Sequence, residues 1–154
     1  MYNVFMIKNL RIFIVVLLIA VIVFLAFLKK DSQYAFDKEI IVKNTVLDVA
    51  IVSTDEERSR GLSNHRPLKD NEALLFVFER PDFYGIWMKE MRFPIDVIWF
   101  DDEMKIVSVR ENFSPDSFPE AAYPSHEAFW VLETKAGFVK DHRILMGDEL
   151  KIFD

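Results

Sequence analysis

The chain has 154 residues and no cysteine, which rules out disulfides, thiolate metal centres, a cysteine nucleophile and a lipid-modified N-terminal cysteine. All 25 acidic residues follow Lys30, whereas Lys8, Arg11, Lys29 and Lys30 take four of the 19 basic ones, so residues 31–154 carry 15 basic against 25 acidic groups and a net charge of −10. A surface of that sign repels phosphate backbones, and no stretch after Lys30 gathers more than two basic residues, so nucleic acid is excluded as an expected partner.

A chain of this length holds one domain and its terminal segments. Residues 12–28 (IFIVVLLIAVIVFLAFL) are seventeen apolar residues without interruption, about 26 Å of helix, which nearly crosses a bilayer core. Fifteen of them are Leu, Ile, Phe or Val, each of which favours insertion, and Arg11 and Lys29 can snorkel their charges outward. Lys8 and Arg11 also suit a cleaved signal peptide. Against that, the run exceeds the usual apolar region of about 7 to 15 residues. No small-x-small cleavage site follows either, since Ala26 has Phe24 two residues before it and Ala35 has Gln33. A buried core helix is disfavoured because the run has no polar face. We therefore expect residues 1–30 to form one N-terminal transmembrane helix, held in the lipid bilayer through residues 12–28. Lys8 and Arg11 balance Lys29 and Lys30, so orientation rests on position: an early anchor leaves the whole domain downstream to be translocated, on the extracytoplasmic side.

Residues 31–39 read as a polar tether and residues 40–154 as the soluble domain. Residues 46–52 (VLDVAIV) place Leu47, Val49 and Ile51 on one face with the period of two that strands impose. Thr54 with Glu57 three residues on makes a capping box, and Gly61 can take the left-handed conformation that ends a helix of two turns at most. Residues 74–78 (LLFVF) are apolar on both faces, as in a strand buried on both sides. In residues 85–91 the alternation sets Lys89 beside the indole of Trp87. Residues 95–100 (IDVIWF) and 106–109 should form a hairpin across Asp101, Asp102 and Glu103. Residues 112–127 form the longest irregular stretch. A strand at 129–134, a turn or helix at 136–140 and a strand at 149–153 complete about seven strands and two short helices. The expected architecture is mostly β, an antiparallel β-sandwich or barrel-like domain with one or two short helices.

Five segments recur in order as a pattern: ERSRGL (57–62), LLFVF, WMK (87–89), FPIDVIWFD (93–101), and FWVLETKAG with GDEL. The chain resembles the domain of unknown function 192 family over about residues 40–154. The resemblance implies a compact β-sandwich-like domain, commonly preceded by a signal or anchor segment, and carries over no reaction, cofactor or catalytic residue. Where the family often has Met after Gly-Leu, this chain has Ser63. Where it has Gly-Met before the apolar strand and Asn-Thr after the Lys, this chain has Ala73 with Leu74 and Glu90 with Met91.

Gly61, Gly85, Gly137 and Gly147 are too dispersed for a phosphate-binding loop, so no nucleotide cofactor is expected. His126 and Glu127 lack the second His of a metal-binding helix, because Trp130 stands there, and no metal site is expected. Ser125, His126 and Glu127 are triad residue types but adjacent in sequence, so no catalytic residue is assigned. Two functions stay open. One is a binding or accessory module for an unknown ligand or protein of the cell envelope, with Trp87, Trp99 and Trp130 lining a groove unless, as is commoner for such residues, they fill the core. The other is a carboxylate-based envelope hydrolase or transferase with Asp96 and Glu133 as the acid pair and Lys89 tuning them. Asp96 shares a strand face with Ile98 and Phe100, and Glu133 follows Phe129 and Val131. Charges on such faces need partners or a solvated cleft. Arg58, Arg66 and Lys89 are the nearest cations by motif, and we expect several of these residues to form one cluster with Trp87 at its edge, either a structural ion-pair network that fixes strand register or a ligand-binding site.

Overall fold

The computed structural model describes residues 11–22 and 33–153, and the chain divides into two units, Met1–Gln33 and Tyr34–Asp154. In the first unit, residues 11–22 are helical with exposed side chains. The expected anchor continues past them, and its residues 23–28 lie outside the described residues. Among the described residues no helix is long and apolar enough to cross a membrane.

The second unit is mostly β. Its strands are β1 (Lys38–Val42), β2 (Thr45–Val52), β3 (Glu72–Asp82), β4 (Ile86–Trp87), β5 (Ile95–Phe100), β6 (Ile106–Phe113), β7 (Ala121–Ala122), β8 (Ala128–Lys135) and β9 (Leu150–Ile152). Two short helices, α1 (Asp55–Arg60) and α2 (Phe138–Asp141), and a 3-10 turn at Pro115–Ser117 fill the connections. Seven strands make one sheet in the order β6-β5-β8-β3-β2-β1-β9, and β4 pairs with β7 in a separate ribbon. β1 is a strand beyond those expected, and its first two residues lie in the segment expected as the tether, residues 31–39. Its hydrogen-bonded partner β2 was legible, but a five-residue KEIIV segment shows little periodicity alone.

Two expectations are corrected. The sheet is not wholly antiparallel, because β2 and β3 run parallel, Asp48 facing Glu72 and Val52 facing Phe76. A parallel pair needs a long crossover, and residues 53–71 with α1 supply one. Nor do two sheets face each other as in a sandwich; of the two expected architectures the barrel-like one holds, since one sheet curls into a half-barrel. Its edge strands meet at one end. Lys105 bridges Glu149, Ile106 N–H donates to the Asp148 carbonyl at 3.0 Å, and Leu150 N–H donates to the Met104 carbonyl at 2.8 Å.

Curling gives the sheet two apolar faces. The inner cluster takes side chains from all seven strands, among them Ile40, Leu47, Leu75, Phe100, Leu132 and Leu150, and is closed by Phe138 and Val139 of α2. The outer cluster, with Val52, Leu74, Phe76, Val97, Trp99 and Val131, is covered by Leu62, Leu68, Met88 and Phe93 from the connections. Alternation along each strand decides which cluster a side chain joins.

Candidate functional site

Where β2 runs into α1, the chain makes the expected cap. The Thr54 hydroxyl accepts from Glu57 N–H at 3.3 Å, and the Glu57 carboxylate accepts from the N–H of Thr54 at 3.1 Å and of Ser53 at 3.2 Å. Those backbone donors hold the Glu57 carboxyl below its ordinary range. One turn later Arg58 reaches back toward the sheet. Its guanidinium donates to the carbonyls of Ser53 and Val77, the latter at 2.9 Å, and pairs with Asp55. The same group lies 4.9 Å from the centre of the Phe78 ring.

Beside Arg58, the pairing of β3 with β8 breaks between Val77 and Asp82. That irregularity releases residues 78–81 from the ladder and turns them toward α1. Phe78 stacks on Tyr84 with ring centres 3.4 Å apart and planes 10° from parallel. The Tyr84 hydroxyl donates to the Arg80 carbonyl at 2.7 Å, and its own carbonyl accepts from the buried Trp99 indole at 2.8 Å. Burial, then the nearby Asp82 carboxylate, push the Tyr84 hydroxyl pKa up. Arg58, Phe78 and Tyr84 form one layered wall of a cleft of about 590 Å³, with Glu79, Arg80 and Asp82 on its rim. Arg80 is exposed and makes no ion pair or side-chain hydrogen bond among the described residues. Sequence reasoning reached Arg58 through its motif but not Phe78, Arg80 or Tyr84. The break in strand pairing that presents them has one local mark, Pro81, which has no N–H to give the ladder.

The other expected site residues do not join this cleft. Arg66 makes two bonds to Glu72, 2.7 and 2.8 Å, and the Lys69 ammonium approaches the same carboxylate at 3.0 Å. Burial pushes the Glu72 carboxyl up, but the bonds from Arg66 and Lys69 outweigh it and hold the pKa at about 2. The buried His65 lies against Tyr34 and Phe36, with Nδ1 2.6 Å from the Arg66 carbonyl oxygen, and burial lowers its pKa. Lys89 and Trp87 are neighbours as expected, with the ammonium 5.7 Å from the ring centre.

Asp96 is fully buried and serves the backbone. Its carboxylate accepts from Asn112 N–H at 2.8 Å, Gly137 N–H at 3.1 Å and Val139 N–H at 2.9 Å, tying β5 to the end of β6 and the start of α2. Glu133 is buried on the other face among the outer cluster, opposite Val97 and Leu74. Among the described residues its Oε2 has no hydrogen-bond partner, and burial pushes its pKa up to about 8. The expected single cluster therefore does not form. The acid pair is separated by the sheet itself, so the two carboxylates cannot flank one bond of a substrate. The three tryptophans do not line one groove: Trp99 is fully buried in the outer cluster and Trp130 packs against the inner one, as the core reading has it, and of the three only Trp87 is exposed.

A second hollow, about 280 Å³, lies between α1 and the segment after β4, lined by Glu56, Arg60, Ser63, Lys89 and Glu90. Two positions where the chain departs from the resembled pattern, Ser63 and Glu90, bond across it. Ser63 Oγ donates to the Lys89 carbonyl at 2.7 Å, and Asn64 Nδ2 donates to Glu90 Oε2 at 2.7 Å. Among the described residues no group of His, Asp and Glu is placed to hold a metal ion.

The family model described as DUF192, Uncharacterized ACR, matches residues 38–152. Among solved structures, a protein of unknown function from Novosphingobium aromaticivorans DSM 12444 superposes with a TM-score of 0.70 at 22% identity, over 73% of this chain and 83% of that one. A Sinorhizobium meliloti 1021 protein described as a candidate transcription regulator superposes with a TM-score of 0.71 at 27% identity, over 79% of this chain and 96% of that one. No curated protein matches.

Proposed function

The chain belongs to the domain of unknown function 192 family, and from that premise we propose that it is a membrane-tethered binding module of the cell envelope. Its ligand is a small molecule carrying a carboxylate, taken into the cleft beside Arg58. The observation that carries this reading is the layered Arg58–Phe78–Tyr84 wall facing Arg80, whose charge is not met by a protein partner among the described residues. Phe78 and Tyr84 offer a flat apolar surface, and Arg80 offers a planar fork of donors that matches a carboxylate. Glu79 and Asp82 on the same rim favour a ligand that also bears a positive group, such as an amino acid or a peptide end. The volume suits a molecule of that size.

Anchoring through residues 12–28 and an extracytoplasmic domain belong to the same proposal, supported by the uninterrupted apolar run and its position ahead of the domain. A nucleic-acid ligand is not proposed, because residues 31–154 carry a net charge of −10. Trp99 supplies the test, since its indole N–H bonds the carbonyl of Tyr84 behind the cleft. In detergent-solubilised full chain, a titrated dipeptide should shift the Trp99 indole resonance, and Arg80→Ala should remove the shift. An unchanged resonance with amino acids and dipeptides, or a shift that survives Arg80→Ala, would overturn the assignment.

A further inference from the structure

The ribbon of β4 and β7 leaves one face uncovered. Ile86 faces Ala122 and Trp87 faces Ala121, so the register continues to Gly85 opposite Tyr123. Ile86 and Ala122 pack on the outer cluster. By alternation Trp87 and Tyr123 share the opposite side, at diagonal positions. Gly85 is what allows Tyr123 to lie down there: a Cβ at Gly85 would come within 2.5 Å of the Tyr123 ring. Trp87 is 46% and Tyr123 67% exposed, and Phe83 and Phe118, close in sequence to the two strands, are 49% and 47% exposed. Among the described residues of the second unit these four are the exposed aromatic side chains apart from Phe153, and two of them, Trp87 and Tyr123, share the open face of the ribbon. Lys89 adds a cation 5.7 Å from the Trp87 ring centre.

We infer that this ribbon face docks on the lipid surface of the membrane. Trp and Tyr are the side chains that settle at headgroup depth, with an apolar ring and a polar edge, and a Lys beside them can reach a lipid phosphate. Chain length supports the same occupant and rests on the anchor reading: from Leu28 to Tyr34, where the second unit begins, six residues span at most about 21 Å. A bilayer within that reach is present at high effective concentration, so a weak aromatic patch is enough to engage it. The domain's negative charge sets the lipid class. Anionic headgroups repel it, and zwitterionic phosphatidylcholine does not.

The test uses the full chain reconstituted into phosphatidylcholine vesicles with bromine on the acyl chains. Flotation reports the anchor, and tryptophan quenching reports the ribbon. Trp99 is fully buried and Trp130 half-buried in the core, so the quenched emission should come from Trp87 and vanish in Trp87→Phe. If the chain floats and quenching equals that of Trp87→Phe, the ribbon does not dock and the inference is overturned while the anchor stands. If flotation is lost in Trp87→Ala with Tyr123→Ala, the ribbon holds the bilayer and the anchor reading fails while the inference stands. If the wild-type chain does not float, neither segment engages the bilayer and both are overturned. Protection of Trp87 by a soluble glycan without lipid quenching also overturns the inference, in favour of a sugar platform.

Discussion

Asp96 and Glu133 stand on neighbouring strands one register step apart, Asp96 opposite Thr134 and Glu133 opposite Val97, and they point to opposite faces of one sheet. Both are buried, yet their surroundings differ completely. Asp96 meets three backbone donors, and Glu133 meets aliphatic side chains. Two acidic residues in similar strand contexts therefore do different work, and neither is placed for acid–base chemistry with the other.

Asp96 holds three elements together, so its loss should be felt in folding. Asp96→Ala strands three backbone N–H groups and should cost on the order of 3 kcal/mol or more, and Asp96→Asn about 2 kcal/mol, because one acceptor becomes a donor. Urea denaturation followed by far-ultraviolet circular dichroism reads both. Stability indistinguishable from wild type would contradict the staple.

Glu133 predicts an unusual pH dependence. Its folded pKa of about 8 lies above the ordinary 4.5. Below pH 4.5 both states hold the proton, and between 4.5 and 8 only the folded state does, so stability falls with rising pH by about 1.4 kcal/mol per unit. Glu133→Gln lacks this titration, and its stability relative to wild type should grow from pH 5 to pH 8. Parallel stability curves over that window would show that Glu133 ionises in the folded domain.

Glu72 works in the opposite sense. With a folded pKa near 2 against 4.5, its contribution is complete above pH 4.5 and is lost as pH falls toward 2. Wild type should lose on the order of 3 kcal/mol across that range, a loss that Glu72→Gln shows already at pH 7. Acid titration by near-ultraviolet circular dichroism compares them, and equal acid midpoints would remove the Arg66–Glu72 pair from the account of stability.

The proposed uncleaved anchor predicts that protein extracted from membranes keeps residues 1–30. Intact mass spectrometry of the detergent extract should give the full chain, 18.1 kDa. A mass beginning after Ala26 or Ala35 would identify a cleaved leader instead.

Local chemistry is what the sequence determined by itself. The capping box at Thr54 and Glu57 is present with both bonds, the strand faces of β5 alternate as read, and the run of five motifs identified the family. The placement of Asp96 with Ile98 and Phe100, and of Glu133 with Val131, was legible too, because side-chain alternation depends only on neighbours along one strand.

Only the tertiary structure decided how strands meet. Residues 74–78 are apolar on both faces, so no pattern within them says that β2 lies parallel on one side and β8 antiparallel on the other. The register of β5 on β8 set Asp96 and Glu133 on opposite faces, and the break in β3 after Val77 presented Phe78 and Arg80 to the cleft. Cross-strand register depends on contacts between segments distant in sequence, and a periodicity read along one segment carries no information about the offset to its partner.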